Sequence, residues 1–225
     1  MADPELAERW SSVSERVADA ARSAGRDPGS LTTIVVTKFH PVSLIRDLLE
    51  LGVVDFGENR HQEAQEKAAE LAGTPARWHY IGQLQSKKAR QVRRYASSIH
   101  SVDRLALVPL LDGGDEPLDV FLQVNLTDDP DRGGAAPADI DPLAEALTAA
   151  PGLVLRGVMA VAPLDEEPRA AFARLRTVSD RVRAVEPSAT AVSAGMSHDF
   201  AEAIAEGATH LRIGSAITGN RPART

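Results

Sequence analysis

The stretch Leu31-Thr32-Thr33-Ile34-Val35-Val36-Thr37-Lys38 decides how this chain is read. A run rich in β-branched side chains closes on a lysine, which is the pattern of a buried strand with a charge at its C-terminal end. In an α/β barrel that end opens into the mouth where the chemistry is done. A desolvated amine there has a lowered pKa and can form a Schiff base with an aldehyde. A lysine that only marks the exposed end of a strand has the same local pattern, so Lys38 alone leaves both readings open.

Outward from this strand the chain alternates. Before it, Leu6, Trp10, Val13, Val17 and Ala21 recur at three- and four-residue spacing, an amphipathic helix over residues 4–24 ended by Gly25 and Pro28-Gly29. After it, strand-like runs fall at 53–56, 77–81, 97–100, 118–124, 153–159, 189–192 and 209–213. Helix-like segments at 42–51, 60–72, 85–95, 103–110, 137–149, 168–185 and 198–206 lie between them. Eight strands alternating with helices predict a parallel sheet, and eight is the number that closes a barrel. The expected fold is therefore α/β, a (β/α)8 TIM barrel with an extra N-terminal helix, one domain over residues 1–225. The rival, an open doubly wound sheet, carries a glycine-rich turn after its first strand. The turn here is Lys38-Phe39-His40-Pro41, without glycine.

Composition narrows the function. The 225 residues are 43% hydrophobic, enough for a large core. A net charge of −7 argues against general nucleic-acid or anionic-membrane binding. With no cysteine there are no disulfides and no thiolate metal sites. No 18-residue apolar run exists, and Met1-Ala2-Asp3-Pro4-Glu5 is not a signal peptide, so a cytoplasmic protein is expected. Two polar, turn-rich stretches, 112–117 and 127–134, read as long loops, the second placed to cover a barrel mouth.

The last quarter supplies a counterpart to Lys38. Ser193-Ala194-Gly195-Met196-Ser197 and Arg212-Ile213-Gly214-Ser215 fall in the loops after strands 7 and 8, where barrels often bind phosphate on backbone amides and hydroxyls. Gly195 and Gly214 would let the backbone come close, and Ser197 and Ser215 would donate. Either loop alone is also ordinary turn and N-cap chemistry. Arg212, a charge within a strand, must be paired or face the mouth. Glu58 and Asn59 can meet a ligand or cap the next helix. His79 can touch a ligand or sit satisfied in the interior. The basic run Lys87, Lys88, Arg90, Arg93 and Arg94 reads as a solvated face. No metal-type histidine pair, Walker loop or nucleophile elbow is present. An aldehyde for Lys38 and a phosphate for the far loops together specify pyridoxal 5′-phosphate (PLP).

At this point the chain resembles the pyridoxal-phosphate-binding homeostasis proteins, the YggS or PROSC family. The resemblance rests on Val36-Thr37-Lys38, Phe56-Gly57-Glu58-Asn59-Arg60, Trp78-His79-Tyr80-Ile81-Gly82-Gln83-Leu84-Gln85, His100-Ser101-Val102-Asp103, Gln123-Val124-Asn125, Gly195-Met196-Ser197 and Arg212-Ile213-Gly214-Ser215. It implies a barrel like the N-terminal domain of alanine racemase. It implies PLP carried on Lys38 as an internal aldimine, its phosphate held by Ser197, Gly214 and Ser215, its pyridine nitrogen against Arg212, and Asn59 and Ser193 lining the pocket. Lys87 stands where the family usually has asparagine, and Asp131-Arg132-Gly133-Gly134 replaces a Lys-x-Gly pattern.

Arginine can only donate, so Arg212 would leave a ring nitrogen unprotonated and weaken the ring as an electron sink. The only tyrosines are Tyr80 and Tyr95, and the chain ends just past strand 8 without the domain that gives racemases their second base. The expectation is a monomeric carrier serving PLP homeostasis and delivery, with PLP-dependent apoenzymes as candidate recipients and no catalytic residues. The alternative is an amino-acid racemase or another weak PLP enzyme, in which His79 or a loop residue supplies the other proton.

Overall fold

The computed structural model describes residues 2–129 and 131–220. Eight parallel strands close into a barrel in chain order: β1 (Thr32–Val36), β2 (Asp55–Glu58), β3 (Arg77–Tyr80), β4 (Ser98–Val102), β5 (Leu118–Gln123), β6 (Leu153–Met159), β7 (Ala191–Ser193) and β8 (His210–Ile213). The ring is sealed where β1 pairs with β8, Thr32 opposite His210 and Val35 opposite Ile213. The surrounding helices are α1 (Pro4–Ser23), α2 (Val42–Glu50), α3 (His61–Glu70), α4 (Ala89–Arg93), α5 (Val108–Leu111), α6 (Ile140–Ala149), α7 (Pro168–Val185), α8 (Phe200–Ala205) and α9 (Ser215–Thr218).

The N-terminal helix begins where Asp3 accepts from the Glu5 N–H, with Pro4 at a first-turn position that needs no amide hydrogen. Its apolar stripe, Leu6, Val13, Val17 and Ala21, is buried, and the helix packs on α8 and α9. The large apolar core lies between strands and helices, with Ile45, Leu48, Leu107, Ile140, Leu147, Leu175 and Ile204 fully buried.

The barrel interior is different. Barrel lumens are ordinarily filled by branched aliphatics. Here Phe121 stacks on His100 at 4.1 Å between ring centres and meets His210 edge-on at 5.2 Å, with His79 edge-on to His100 at 5.2 Å. Polar groups in such a place must be hydrogen-bonded to persist.

Strand 2 differs from its sequence expectation. Residues 53–56 are predicted and Asp55–Glu58 are observed. Gly57 and Glu58 look unlike strand residues, yet both are buried. Gly57 is needed because a Cβ there would crowd Ile34, Ile81 and Val36. Glu58 tolerates burial because Lys67 from α3 reaches it at 2.7 Å. The predicted segment 103–110 becomes a 3-10 turn (Leu105–Leu107) followed by α5, and the short helix α9 is additional to the sequence expectation. In the stretch 127–134, Asn125 organises the loop by donating to the Asp129 and Arg132 carbonyls and accepting from Thr127. Pro130 lies outside the described residues. The loop approaches Gln83, Asp103 and Gln123, at the β3–β5 side of the mouth.

Candidate functional site

A cavity of about 380 Å³ opens at the C-terminal ends of the strands, within the size range of small-molecule sites. Lys38 enters it from the β1 loop, Asn59 from the end of β2 and Gly82 from the end of β3. Met196, Ser197 and His198 come from the β7 loop, and Arg212, Gly214, Ser215, Thr218 and Gly219 from β8 and α9. Strand ends far apart in sequence thus place Lys38, Ser197, Arg212, Gly214 and Ser215 around one opening. The Gly214 carbonyl accepts from the Ile217 and Thr218 N–H groups, which fixes the turn that carries Ser215.

The local backbone is specialised. Phe39 has φ of 70°, a left-handed conformation that costs a bulky residue roughly 1–3 kcal/mol. Its N–H donates to Glu63, and the Arg60 guanidinium lies 4.6 Å above its ring. Gly82 must be glycine because a Cβ would collide with the Asn59 carbonyl. Asn59 itself keeps its buried Oδ1 without a hydrogen-bond partner, an acceptor that a ligand in this cavity can satisfy.

Arg212 is buried, yet no carboxylate among the described residues lies at ion-pair distance from it. One guanidinium nitrogen donates to Ser193 Oγ and the other to the Ala160 carbonyl, each at 2.8 Å. Burial pulls its pKa down to about 10, with Asp199 pulling it back up, so it remains a cation near neutrality. Ser193 is fully buried and lies outside the cavity lining. It sits one layer below the position expected for it and holds Arg212 there.

Below Ser193 the polar chain continues through the lumen. Ser193 Oγ lies 2.8 Å from His100 Nδ1, and His100 Nε2 lies 2.9 Å from Ser98 Oγ. Ser98 Oγ lies 2.8 Å from His79 Nδ1, and His79 Nε2 lies 2.8 Å from Asp55. Arg77 closes the chain on Asp55 at 2.6 Å. An ionised carboxylate only accepts, so His79 Nε2 donates to Asp55. Arg212 only donates, so Ser193 receives from it and passes its own hydroxyl proton to His100 Nδ1. His100, driven well below the usual histidine pKa by complete burial, then keeps its one proton on Nε2. Burial pushes the Asp55 carboxyl up, and the His79 and Arg77 hydrogen bonds outweigh it, for a net lowering. His79 is therefore a satisfied interior group and does not line the cavity. Of the two proton donors named for the racemase alternative, His79 or a loop residue, His79 is thus placed away from the cavity.

Gly195 is also displaced from its expected role. Its φ is +92°, and a Cβ would meet Ala203 at 2.8 Å and Phe200 at 3.0 Å, so it lets the β7 loop turn against α8 and stays outside the cavity lining. The cap position of α8 belongs to Asp199, whose carboxylate accepts from the Met196 N–H at 2.5 Å, which leaves Ser197 to the cavity. His40, Ile81, Val161 and His198 line it without having been singled out in the sequence. Their signal was only proximity: His40 is two residues past Lys38, and His198 follows Ser197. Lys87, Arg90 and Arg94 are exposed, as a solvated face requires, while Arg93 turns back to the Glu116 carbonyl at 2.8 Å. Among the described residues no group of three or more histidines and acids could hold a metal ion, and no helix is long and apolar enough to cross a membrane.

Known proteins resemble this chain in sequence and fold. Residues 18–222 match the family model of the alanine racemase N-terminal domain. A pyridoxal phosphate homeostasis protein of Pseudomonas aeruginosa is 42% identical over 223 residues, covering 96% of both chains. PipY of Synechococcus elongatus, solved with PLP bound, superposes with a TM-score of 0.83 at 38% identity, over 95% of this chain and all of that one. Alanine racemase from Corynebacterium glutamicum shares the fold alone, with a TM-score of 0.73 and 16% identity over 94% of this chain and 61% of that enzyme. Near-full-length identity at this level, on a closed barrel of the same build, makes the chain a member of the pyridoxal phosphate homeostasis protein family.

Proposed function

We propose that the chain is a single PLP-binding domain that holds the cofactor on Lys38 and serves its homeostasis and delivery. The supporting observation is one cavity lined by an amine at the end of β1 and by hydroxyl, amide and guanidinium donors at the ends of β7 and β8. PLP, when bound, supplies an aldehyde and an electron-withdrawing ring. The residues fit it. Ser197, Gly214 and Ser215 suit a phosphate, Arg212 a ring nitrogen, and the unpartnered Asn59 oxygen a polar ring substituent. Lys38 would be the residue that holds its aldehyde end.

A carrier is favoured over an enzyme because Arg212 would donate to a ring nitrogen without protonating it, and because His79 is committed to Asp55 inside the barrel. We further propose that the protein works in the cytoplasm as a monomer, with PLP-dependent apoenzymes as recipients.

A visible spectrum of PLP-treated protein before and after borohydride, with the labelled peptide mapped, tests the assignment. The label is expected on Lys38 and absent from Lys38→Ala, whose fold should be intact. Labelling elsewhere, or none, overturns it. Turnover at ordinary enzymatic rates across a panel of amino acids overturns the carrier reading.

A further inference from the structure

We propose that Glu63 and Lys67 on α3 are positioning residues that aim Lys38 by gripping the two peptide groups on either side of it. Lys67 is 4% exposed, far less than lysines ordinarily are. Its ammonium donates to the Thr37 carbonyl at 2.8 Å, to Glu58 at 2.7 Å and to Glu63 at 2.6 Å. Those three bonds use all its protons. The Thr37 carbonyl belongs to the peptide bond that precedes Lys38. The peptide bond that follows Lys38 offers the Phe39 N–H, and Glu63 accepts it at 2.5 Å. Glu63 and Lys67 are one helical turn apart, so they share a face of α3. One takes the donor of one peptide and the other takes the acceptor of the next, and each also holds the other.

The surroundings make this grip directional. Glu58 Oε1 accepts from Lys67 and from Thr37 Oγ1 at 2.7 Å, which ties the side chain of Thr37 to the same cluster as its carbonyl. The Thr37 carbonyl also accepts from the His40 N–H at 3.0 Å, closing a tight turn around Lys38 and Phe39. Phe39 is held left-handed in that turn. A non-glycine residue stays in such a conformation only when its neighbours over-determine it, and Glu63 supplies the bond that does so. The Lys38 side chain leaves the backbone between two fixed peptides, and its direction into the cavity follows from theirs.

This inference rests on the reading of Lys38 as the cofactor-bearing amine, and it predicts behaviour of the chain without cofactor as well. Glu63 is partly exposed, so Glu63→Ala removes the grip with little loss of core, whereas Glu63→Gln keeps an oxygen for the Phe39 N–H. In cofactor-free protein, amide hydrogen exchange at Phe39 is expected to rise about tenfold or more in Glu63→Ala and to stay near wild type in Glu63→Gln. In PLP-treated protein, borohydride-fixed labelling of Lys38 is expected to slow by a similar factor in Glu63→Ala and to be rescued in Glu63→Gln, with circular dichroism unchanged. Lys67→Met, which opens the other grip, repeats the comparison should Glu63→Ala not fold. A folded Glu63→Ala protein with wild-type exchange at Phe39 and wild-type labelling overturns the clamp. Wild-type protein that takes no label on Lys38 overturns the cofactor reading, and the exchange comparison then judges the clamp by itself.

Discussion

At the scale of single residues, the site separates groups that touch the cavity from groups that hold those groups in place. Ser197 and Ser215 belong to the first kind. Ser197→Ala or Ser215→Ala should each weaken PLP retention by about 1–2 kcal/mol, the scale of a hydrogen bond to a charged acceptor, as read by cofactor release under titration. Retention equal to wild type in both variants would remove the phosphate assignment. Ser193 belongs to the second kind. Ser193→Ala leaves one Arg212 nitrogen and His100 Nδ1 without their partner. Leaving buried groups unpaired costs about 1–3 kcal/mol, so the urea midpoint of the cofactor-free protein should fall measurably. This distinction limits what the sequence discloses. The residue types and spacing of Ser193, Ser197 and Arg212 identify a donor-rich corner. Which serine faces the cavity depends on strand register and the direction of one side chain, and a three-residue strand such as β7 shows no periodicity from which to read either.

Elements explain where sequence patterning succeeds and fails. Long apolar runs such as β5 and β6, and the 18-residue helix α7, lie where their periodicity places them. Strand β2 slips by two residues because its buried acid is neutralised by a lysine nine positions later, a tertiary fact invisible to a local window. The lumen is less legible still. His79, His100 and His210 are scattered in sequence and become one edge-to-face cluster, with His79 and His100 also within hydrogen-bond distance, only when the barrel closes. The N-terminal helix gains a definite role from the structure. Arg26, just past its end, donates to the Ile204 and Ala208 carbonyls at the C-terminal end of α8, and Arg9 donates to the Ile217 carbonyl of α9. The helix thus braces both elements that follow the donor loops. Arg26→Met should lower stability by about 1–3 kcal/mol, since it leaves two carbonyls without their charged donor. Chemical denaturation measures this, and an unchanged midpoint would deny the brace.

The whole molecule carries a pH signature of its polar interior. Burial, reinforced by nearby positive groups, drives His210 down to about 4 from an ordinary 6.5, and His100 is depressed by the same cause. Each binds its proton more readily in the unfolded chain than in the fold. Their contribution to stability is therefore complete above the unfolded pKa of 6.5 and is lost as pH falls toward the folded values, about 4 in the case of His210. Asp55, lowered from 3.8, adds a loss of the same sign at still lower pH. Urea midpoints should accordingly decline between pH 7 and pH 4.5. A flat profile over that window would mean that these histidines are not held neutral.

The seam between β1 and β8 has a consequence for biogenesis. Its partners, Thr32–Val36 and His210–Ile213, are far apart in sequence, and such contacts form late because the intervening chain must first be ordered. The amine proposed to carry the cofactor and the loops proposed to hold its phosphate belong to those same distant segments. A ribosome-bound fragment carrying only the first of them has no vitamin B6 pocket, however well its early strands have collapsed. On the proposed site, capture of the vitamin would thereby wait until β8 has been synthesised.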